Sequence, residues 1–297
     1  MNILVFIKQV DDIKVPVACD AATGTVKSEW NVPVLNPDDG AAIEAALELK
    51  AGLPESRITL INLGPPESEK AIRDGLALGC DEGLRVWDDD LEDLHAPAKA
   101  TILARVARTL PFALILAGAG SQDTASAQLG LLLASSLGVP CITHAVGLRR
   151  AGAGAVVADR RLARGYRQEV RAATPLVVTM VASGNESPGR YASLPALLED
   201  TGREIPCLDL ADIGIPAQWV RQTESLLSFG PLRFPKARRK FIAAPDSSLP
   251  AYERREKLRE GSIKRREGRI VKGGEDTVVE KLFQALLQGG WLSHLRK

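Results

Sequence analysis

An apolar run, Phe112-Ala113-Leu114-Ile115-Leu116-Ala117, passes directly into Gly118-Ala119-Gly120-Ser121-Gln122-Asp123 and then into helical texture from about Thr124 to Leu137. Strand, glycine turn and helix in that order place a row of backbone N–H groups at the carboxyl edge of a sheet. The same groups lie at the positive end of a helix dipole, where a phosphate is held. The first expectation is therefore an α/β layer that binds a nucleotide, with Asp123 as the N-cap of the helix. The plain alternative is a tight glycine turn and nothing more. The run is not the dinucleotide fingerprint, which needs a third glycine at position 123 and usually sits on the first strand. Nor is it the Ser-Gly-Gly-x-Asp-Ser loop of ATP pyrophosphatases, because the first strand is followed by Lys8-Gln9-Val10-Asp11-Asp12.

The rest of the first half agrees. Strand-length apolar runs near 2–8, 57–63, 83–87, 112–117 and 141–147 alternate with helical stretches near 37–51, 66–78, 96–110 and 124–137. That βαβα order predicts a mostly parallel sheet covered on both faces. Leu114-Ile115-Leu116 lacks period-2 alternation, as a strand buried on both sides does. Shorter strands follow at Val156-Val157-Ala158, Glu169-Val170-Arg171 and Pro175 to Met180, read as an antiparallel extension of that sheet. Residues 183–195 are rich in breakers and read as a loop. Residues 230–273 have little apolar periodicity and read as an extended arm, with a polar helix from Pro250 to about Glu260. A last helix has Thr277 as N-cap and Glu280 three residues on, and stops at Gly289-Gly290. The expected division is an α/β domain over 1–229 and a C-terminal arm with its terminal helix over 230–297.

Charge is distributed unevenly. Residues 233–273 hold 14 Lys/Arg against 5 Asp/Glu in a chain whose net charge is +1, so the remainder is acidic. A basic arm on an acidic body suggests docking to a partner or to the body itself. Nucleic acid is disfavoured by the interleaved Glu253, Glu256, Glu260 and Glu267. The four cysteines, Cys19, Cys80, Cys141 and Cys207, and the three histidines, His95, His144 and His294, are scattered. They form no metal or disulfide framework and fit a reducing, cytoplasmic setting. No run approaches the ~18 apolar residues of a membrane span. The first residues begin as a strand with no basic region before it, which argues against a secretion signal.

Two further places sit at the same sheet edge, and a third lies on the breaker-rich loop. Asn36-Pro37-Asp38-Asp39 opens a helix, with Asn36 as cap, Pro37 at the first position and two aspartates at the positive end. A well-capped helix explains every one of these residues, and the functional alternative is a wall of the nucleotide pocket. Gly64-Pro65-Pro66 ends the strand 57–63 and can wall the same pocket or simply turn. Arg190-Tyr191 and Leu194-Pro195 put a large apolar side chain on a polar loop, which is either an ordinary exposed leucine or a partner anchor. No nucleophile–base pair, GxSxG or HExxH is present.

Taken together and in order, these pieces resemble the beta subunit of electron-transferring flavoproteins. The likeness runs through Lys8-Gln9-Val10, Thr23-Gly24-Thr25, Asn36-Pro37-Asp38-Asp39, Ala45-Ala46-Leu47, Gly64-Pro65 and Leu76-Ala77-Leu78-Gly79-Cys80-Asp81. It continues through Gly118, Asp123, Gln128-x-Gly130, Arg190-Tyr191-x-Ser193-Leu194-Pro195 and Lys264-Arg265-Arg266-Glu267-Gly268-Arg269-Ile270. It implies a mostly parallel doubly wound α/β sheet, layered as in flavodoxin-like, adenine-nucleotide-binding folds, with an antiparallel extension and a C-terminal arm.

It also implies an electron carrier rather than a stand-alone enzyme, with no catalytic side chain. The nucleotide would be FAD, or alternatively AMP with FAD on the partner subunit. By the resemblance it is lined by Phe6, Asn36, Pro37, Asp38, Asp39, Leu63 and the loop Gly118, Ala119, Gly120, Ser121, Gln122, Asp123, Thr124, Ala125, Ser126, Ala127, Gln128 and Leu129. Arg190, Tyr191 and Leu194 would meet a dehydrogenase. Implied partners are an alpha subunit, a dehydrogenase and a membrane-associated quinone oxidoreductase. Ala127-Gln128, with Asn36 to Asp39 and Lys8 to Val10, looks more like members that hold a second FAD and split electron pairs. The Arg-Gln that follows the glycine in those members is here Ala119-Gly120. A nucleotide-binding regulatory or stress-type module without redox activity is the alternative reading.

Overall fold

The computed structural model describes residues 1–12, 14, 32–92, 94–152, 154–182, 190–199, 203–226, 245–260 and 273–288. Thr23-Gly24-Thr25, most of the loop 183–195, much of the basic arm and Gly289-Gly290 lie outside them. The chain divides into two compact units, Met1–Phe234 and Pro235–Lys297.

In the first unit, nine strands form one sheet. Strand β1 (Asn2–Ile7) is followed by a small antiparallel pair, β2 (Gln9–Asp11) and β3 (Pro33–Leu35). That pair returns the chain to the end of β1, where the Asn36 N–H bonds the Lys8 carbonyl at 3.0 Å. There α1 (Pro37–Ala51) starts. Then come β4 (Arg57–Leu63), α2 (Glu69–Ala77), β5 (Glu82–Val86), α3 (Ala96–Thr109), β6 (Leu114–Gly118) and α4 (Leu129–Leu137). After them lie β7 (Cys141–Arg150), β8 (Ala155–Arg161), β9 (Arg167–Ala173), β10 (Leu176–Met180), α5 (Leu194–Glu199), β11 (Cys207–Leu208) and α6 (Ala217–Ser225). The second unit contributes α7 (Ala251–Glu260) and α8 (Glu275–Gln288).

The strand order is β11-β5-β4-β1-β6-β10-β7-β8-β9. Every neighbouring pair from β11 to β7 is parallel, and β7, β8 and β9 are antiparallel. Successive residues of β1 feed two cores. Ile3, Val5 and Ile7 pack with α1 and α2, whereas Leu4 and Phe6 pack with α3, α4 and α6. This double burial explains the unbroken apolar runs, each large aliphatic side chain adding roughly 1.5–3 kcal/mol. Chain order reverses between β1 and β6: from β1 the chain first moves toward β4 and β5, then crosses to β6. Ligands of open parallel sheets bind in the crevice above such a switch point.

Several local expectations are corrected. Leu176–Met180 is not part of the antiparallel extension but lies parallel between β6 and β7. Helix α4 begins at Leu129 rather than Thr124, because Ala125 and Ala127 hold φ of 49° and 52°, outside any right-handed helix. Gln128, not Asp123, is therefore its N-cap residue. Leu194 and Pro195, expected at the end of a breaker-rich loop, instead open the helix Leu194–Glu199. Thr277 lies inside α8, which starts two residues earlier with acidic Glu275 and Asp276 in its first turn.

Candidate functional site

The carboxyl ends of β1, β6 and β10 meet the first turn of α1, and the polar groups there pair in a fixed pattern. Asp39 is 6 % exposed. Its carboxylate accepts the Lys8 N–H at 2.8 Å and the Gly118 N–H at 2.8 Å, spanning the crevice between β1 and β6. The preceding Asp38 accepts the Gly120 N–H at 3.1 Å and the Ala182 N–H at 2.8 Å, reaching from the β6 loop to the end of β10. Asn36 does not cap α1 with its side chain. Its amide donates to the Gly120 carbonyl at 2.9 Å and its oxygen accepts the Gln122 N–H at 3.3 Å. The sequence motif is a brace between strands as well as a helix start.

Electrostatics follow from this enclosure. Burial pushes the Asp39 carboxyl up to about 7, against the N–H groups of Gly118 and Lys8 and the Asn36 amide, and the Asp38 charge adds to the rise. Lys8 turns its ammonium to Asp123 across the loop. Burial acts upward on Asp123, but the Lys8 bond and charge, the Ser121 hydroxyl and the Thr124 N–H outweigh it and hold the carboxyl down at about 2. Neither Lys8 nor Ala182 stood among the expected site residues. Lys8 was legible as the residue after the first strand, whereas Ala182 enters through its backbone and leaves no side-chain signal.

The expected lining residues separate by depth. Phe6 is 3 % exposed and packs in the core beneath the crevice. Leu63 is half-buried at the end of β4 and packs on the same cluster. Pro37, at the first position of α1, is exposed. Ala119 is buried, Ser121 and Gln122 are half-buried, and residues 123–128 are exposed above them. Ala127 in left-handed and Gln128 in right-handed conformation stand next to each other at the start of α4. Alternation of that kind turns successive N–H groups toward one concave point, which suits an anion. Two glycines permit the close packing: a Cβ at Gly118 would lie 2.3 Å from Asp39 Oδ1, and one at Gly130 would lie 2.2 Å from Thr179 Cγ2.

Arg190, Tyr191 and Leu194 are elsewhere. The Arg190 N–H and guanidinium both bond Glu44 on α1, at 2.6 and 3.0 Å, which clips the start of this segment to the body. Tyr191, Leu194, Leu197 and Leu198 are exposed beyond it. A separate shallow depression of about 430 Å³, lined by Asp88, Leu210, Gly214 and Ile215, lies past β5 and carries no such polar pattern. Among the described residues no group of His, Cys, Asp and Glu is arranged to hold a metal, and no helix is long and apolar enough to cross a membrane.

A doubly wound, mostly parallel sheet with a braced crevice at its switch point defines an open α/β protein of the class that takes its ligands above the carboxyl ends of the strands. The comparisons make this specific. The pattern of the electron transfer flavoprotein domain matches residues 25–204, and the chain belongs to that family. It is 32% identical over 216 residues to "Caffeyl-CoA reductase-Etf complex subunit CarD" of Acetobacterium woodii, covering 72% of this chain and 80% of the relative. It is 33% identical over 220 residues to "Electron transfer flavoprotein subunit beta" of Megasphaera elsdenii, with the same two coverages. The beta subunit of Bradyrhizobium diazoefficiens is 34% identical over 215 residues, 72% of this chain and 84% of that one.

Proposed function

We propose that this chain is the beta-type subunit of an electron-transferring flavoprotein, paired with an alpha subunit, and that it carries electrons from a dehydrogenase to a downstream oxidoreductase. The reading rests above all on the crevice between β1 and β6, where Asp39 ties Lys8 to Gly118 in a chain of this family. The nucleotide is FAD, with AMP as the alternative when FAD sits on the partner subunit. A bound flavin supplies the electron transfer itself, accepting and releasing electrons singly or in pairs.

The chain's own residues bind and orient. The exposed residues 123–128 bring the hydroxyls of Thr124 and Ser126 and the amide of Gln128, and the N–H groups of the first turn of α4 add the positive end of a helix. Leu63 and Ala119 contribute apolar surface and Phe6 the floor beneath it. No side chain here is assigned proton transfer or covalent chemistry.

Tyr191, Leu194, Leu197 and Leu198 are exposed just beyond Arg190, which its pair with Glu44 ties to α1. This group is the proposed dehydrogenase contact. Leu194→Ala is expected to raise the KM of the donor dehydrogenase for the carrier while flavin content stays constant; an unchanged KM would remove Leu194 from that role. The basic arm is assigned to the alpha subunit or to a membrane-associated oxidoreductase. Recovery of an intact, fully active complex after deletion of 233–263 would refute that assignment.

The deciding measurement is the nucleotide content of the native complex. The chain is purified with what co-purifies, denatured, and its released FAD and AMP are quantified. Two FAD per heterodimer support a two-flavin, electron-bifurcating carrier. One FAD with one AMP makes it a one-flavin shuttle. Neither nucleotide, with no partner subunit, overturns the reading and favours a regulatory module.

A further inference from the structure

Two adjacent carboxylates at the start of α1 hold four backbone N–H groups from three neighbouring strands. Asp39 takes Lys8 and Gly118, and Asp38 takes Gly120 and Ala182. Those four residues follow or end β1, β6 and β10. All four carboxylate oxygens are engaged with protein, and Asn36 engages both ends of its amide with Gly120 and Gln122. Each of the four oxygens accepts one backbone N–H, and Asp39 is buried, so these carboxylates are committed to holding the strand ends.

We propose that Asp38 and Asp39 are positioning residues: they set the width of the crevice and the shape of the loop from Gly118 to Gln122, and act on the nucleotide through that loop rather than by touching it. The inference rests on the nucleotide reading above. Carboxylates are suited to the task for a stated reason. Each offers two acceptor oxygens on a short stem, where an amide offers one acceptor and two donors. The glycine at 118 belongs to the same device, because a Cβ there would lie 2.3 Å from Asp39 Oδ1 and 2.9 Å from Asp38 Cβ.

The test uses the full chain with its co-purifying partner and compares Asp38→Ala, Asp39→Ala, Gly118→Ala and the Asp39→Ala/Gly118→Ala double variant. Amide hydrogen exchange is followed in peptides covering 118–128 and 179–182, with 57–63 and 155–161 as controls. This readout needs no ligand. Exchange in the loop peptides is expected to rise about ten- to hundredfold in each single variant, the equivalent of a lost hydrogen bond or two to a charged acceptor, while the controls stay unchanged. The double variant removes the closest contact at 118, that with Asp39 Oδ1, and leaves the 2.9 Å approach to Asp38 Cβ, so its loop exchange is expected to rise by less than the two single effects combined. Where Asp39→Ala does not fold, Asp38→Asn carries the same comparison: it keeps one acceptor and is expected to protect only one of Gly120 and Ala182.

The second readout is retention of labelled AMP and of 2′-deoxy-AMP. A positioning role weakens both alike in Asp38→Ala. Loop exchange that matches the unaltered chain would overturn the proposal. So would a loss confined to AMP, which would make Asp38 a direct contact of the ribose. Should the unaltered chain retain no FAD, AMP or 2′-deoxy-AMP while loop exchange still rises in the variants, the nucleotide reading falls and the positioning of the loop stands.

Discussion

Asp39 keeps a carboxyl group where water does not reach, and burial first of all lifts it to about 7. An acid with a higher pKa in the folded than in the unfolded state favours folding while it is protonated. Its contribution is full below the unfolded value of 3.8 and is lost as pH rises through about 7. Asp39→Asn abolishes that titration and leaves one of two N–H groups without an acceptor, at about 1–3 kcal/mol. Denaturant titration at about pH 5 and about pH 8 is therefore expected to give the larger deficit for the variant at the lower pH. Equal deficits would show that Asp39 is ionised in the fold throughout. Asp123 has the opposite slope: its carboxyl, held at about 2, contributes above 3.8 and loses that contribution as pH falls through 2. Being partly exposed, its pair with Lys8 is worth less than about 1 kcal/mol. At this scale the sequence revealed which residues cluster but not what they bond. Asn36 to Asp39 read fully as a helix start, because capping is local, whereas their real partners are backbone groups as much as 144 residues away.

Among the elements, α4 is set by contacts rather than by propensity. Residues 124–128 have a composition a helix tolerates, but left-handed Ala125 and Ala127 end that possibility, and Gly130 lets the first turn of α4 press on Thr179 of β10. Gly130→Ala must push that turn away from β10, whereas Gly83→Ala, whose Cβ would lie 2.2 Å from Ile72 Cγ2, disturbs only the packing of α2 on β5. Each is expected to destabilise by about 1–3 kcal/mol. Nucleotide retention at equal folded fraction separates them: it falls in Gly130→Ala and holds in Gly83→Ala, and a parallel fall in both would detach α4 from the site. The strands β1, β4, β5, β6 and β10 were legible to within a residue or two, because apolar runs bounded by turns are a local signal, whereas the short β2, β3 and β11 were not expected and β7 and β8 run three residues further than their apolar cores. The place of β10 was not legible, since a fully buried strand carries no mark of which strands flank it. Helix α6 was missed for a related reason: only Val220 among its residues is fully buried, so its apolar period is faint.

At the scale of the molecule, both apolar clusters lie within residues 3–220. A chain ending at Leu226 therefore keeps both clusters entire. It is expected to unfold in one cooperative transition, followed by circular dichroism, with a midpoint close to that of the full chain; loss of cooperativity would assign part of the core's stability to residues beyond 234. Fold class was readable from the alternation of strand and helix, which is a property of the whole chain and survives errors at single boundaries. The position of β10 has a consequence for biosynthesis. This strand is central in the sheet yet pairs with a strand made about sixty residues earlier. Until Met180 has left the ribosome, β6 offers an open edge of Leu114, Ile115 and Leu116, and β7 offers another, each able to recruit a foreign strand. Laying β10 into that gap joins two half-sheets, and the prediction is that this pairing is already made in the folding transition state. Val178→Ala is accordingly expected to slow refolding more than it hastens unfolding in stopped-flow measurements, the reverse of what a peripheral strand would give. A nascent chain of this design spends about sixty residues of its synthesis with a central strand edge unpaired, and its yield in a crowded cell depends on how quickly one five-residue segment arrives.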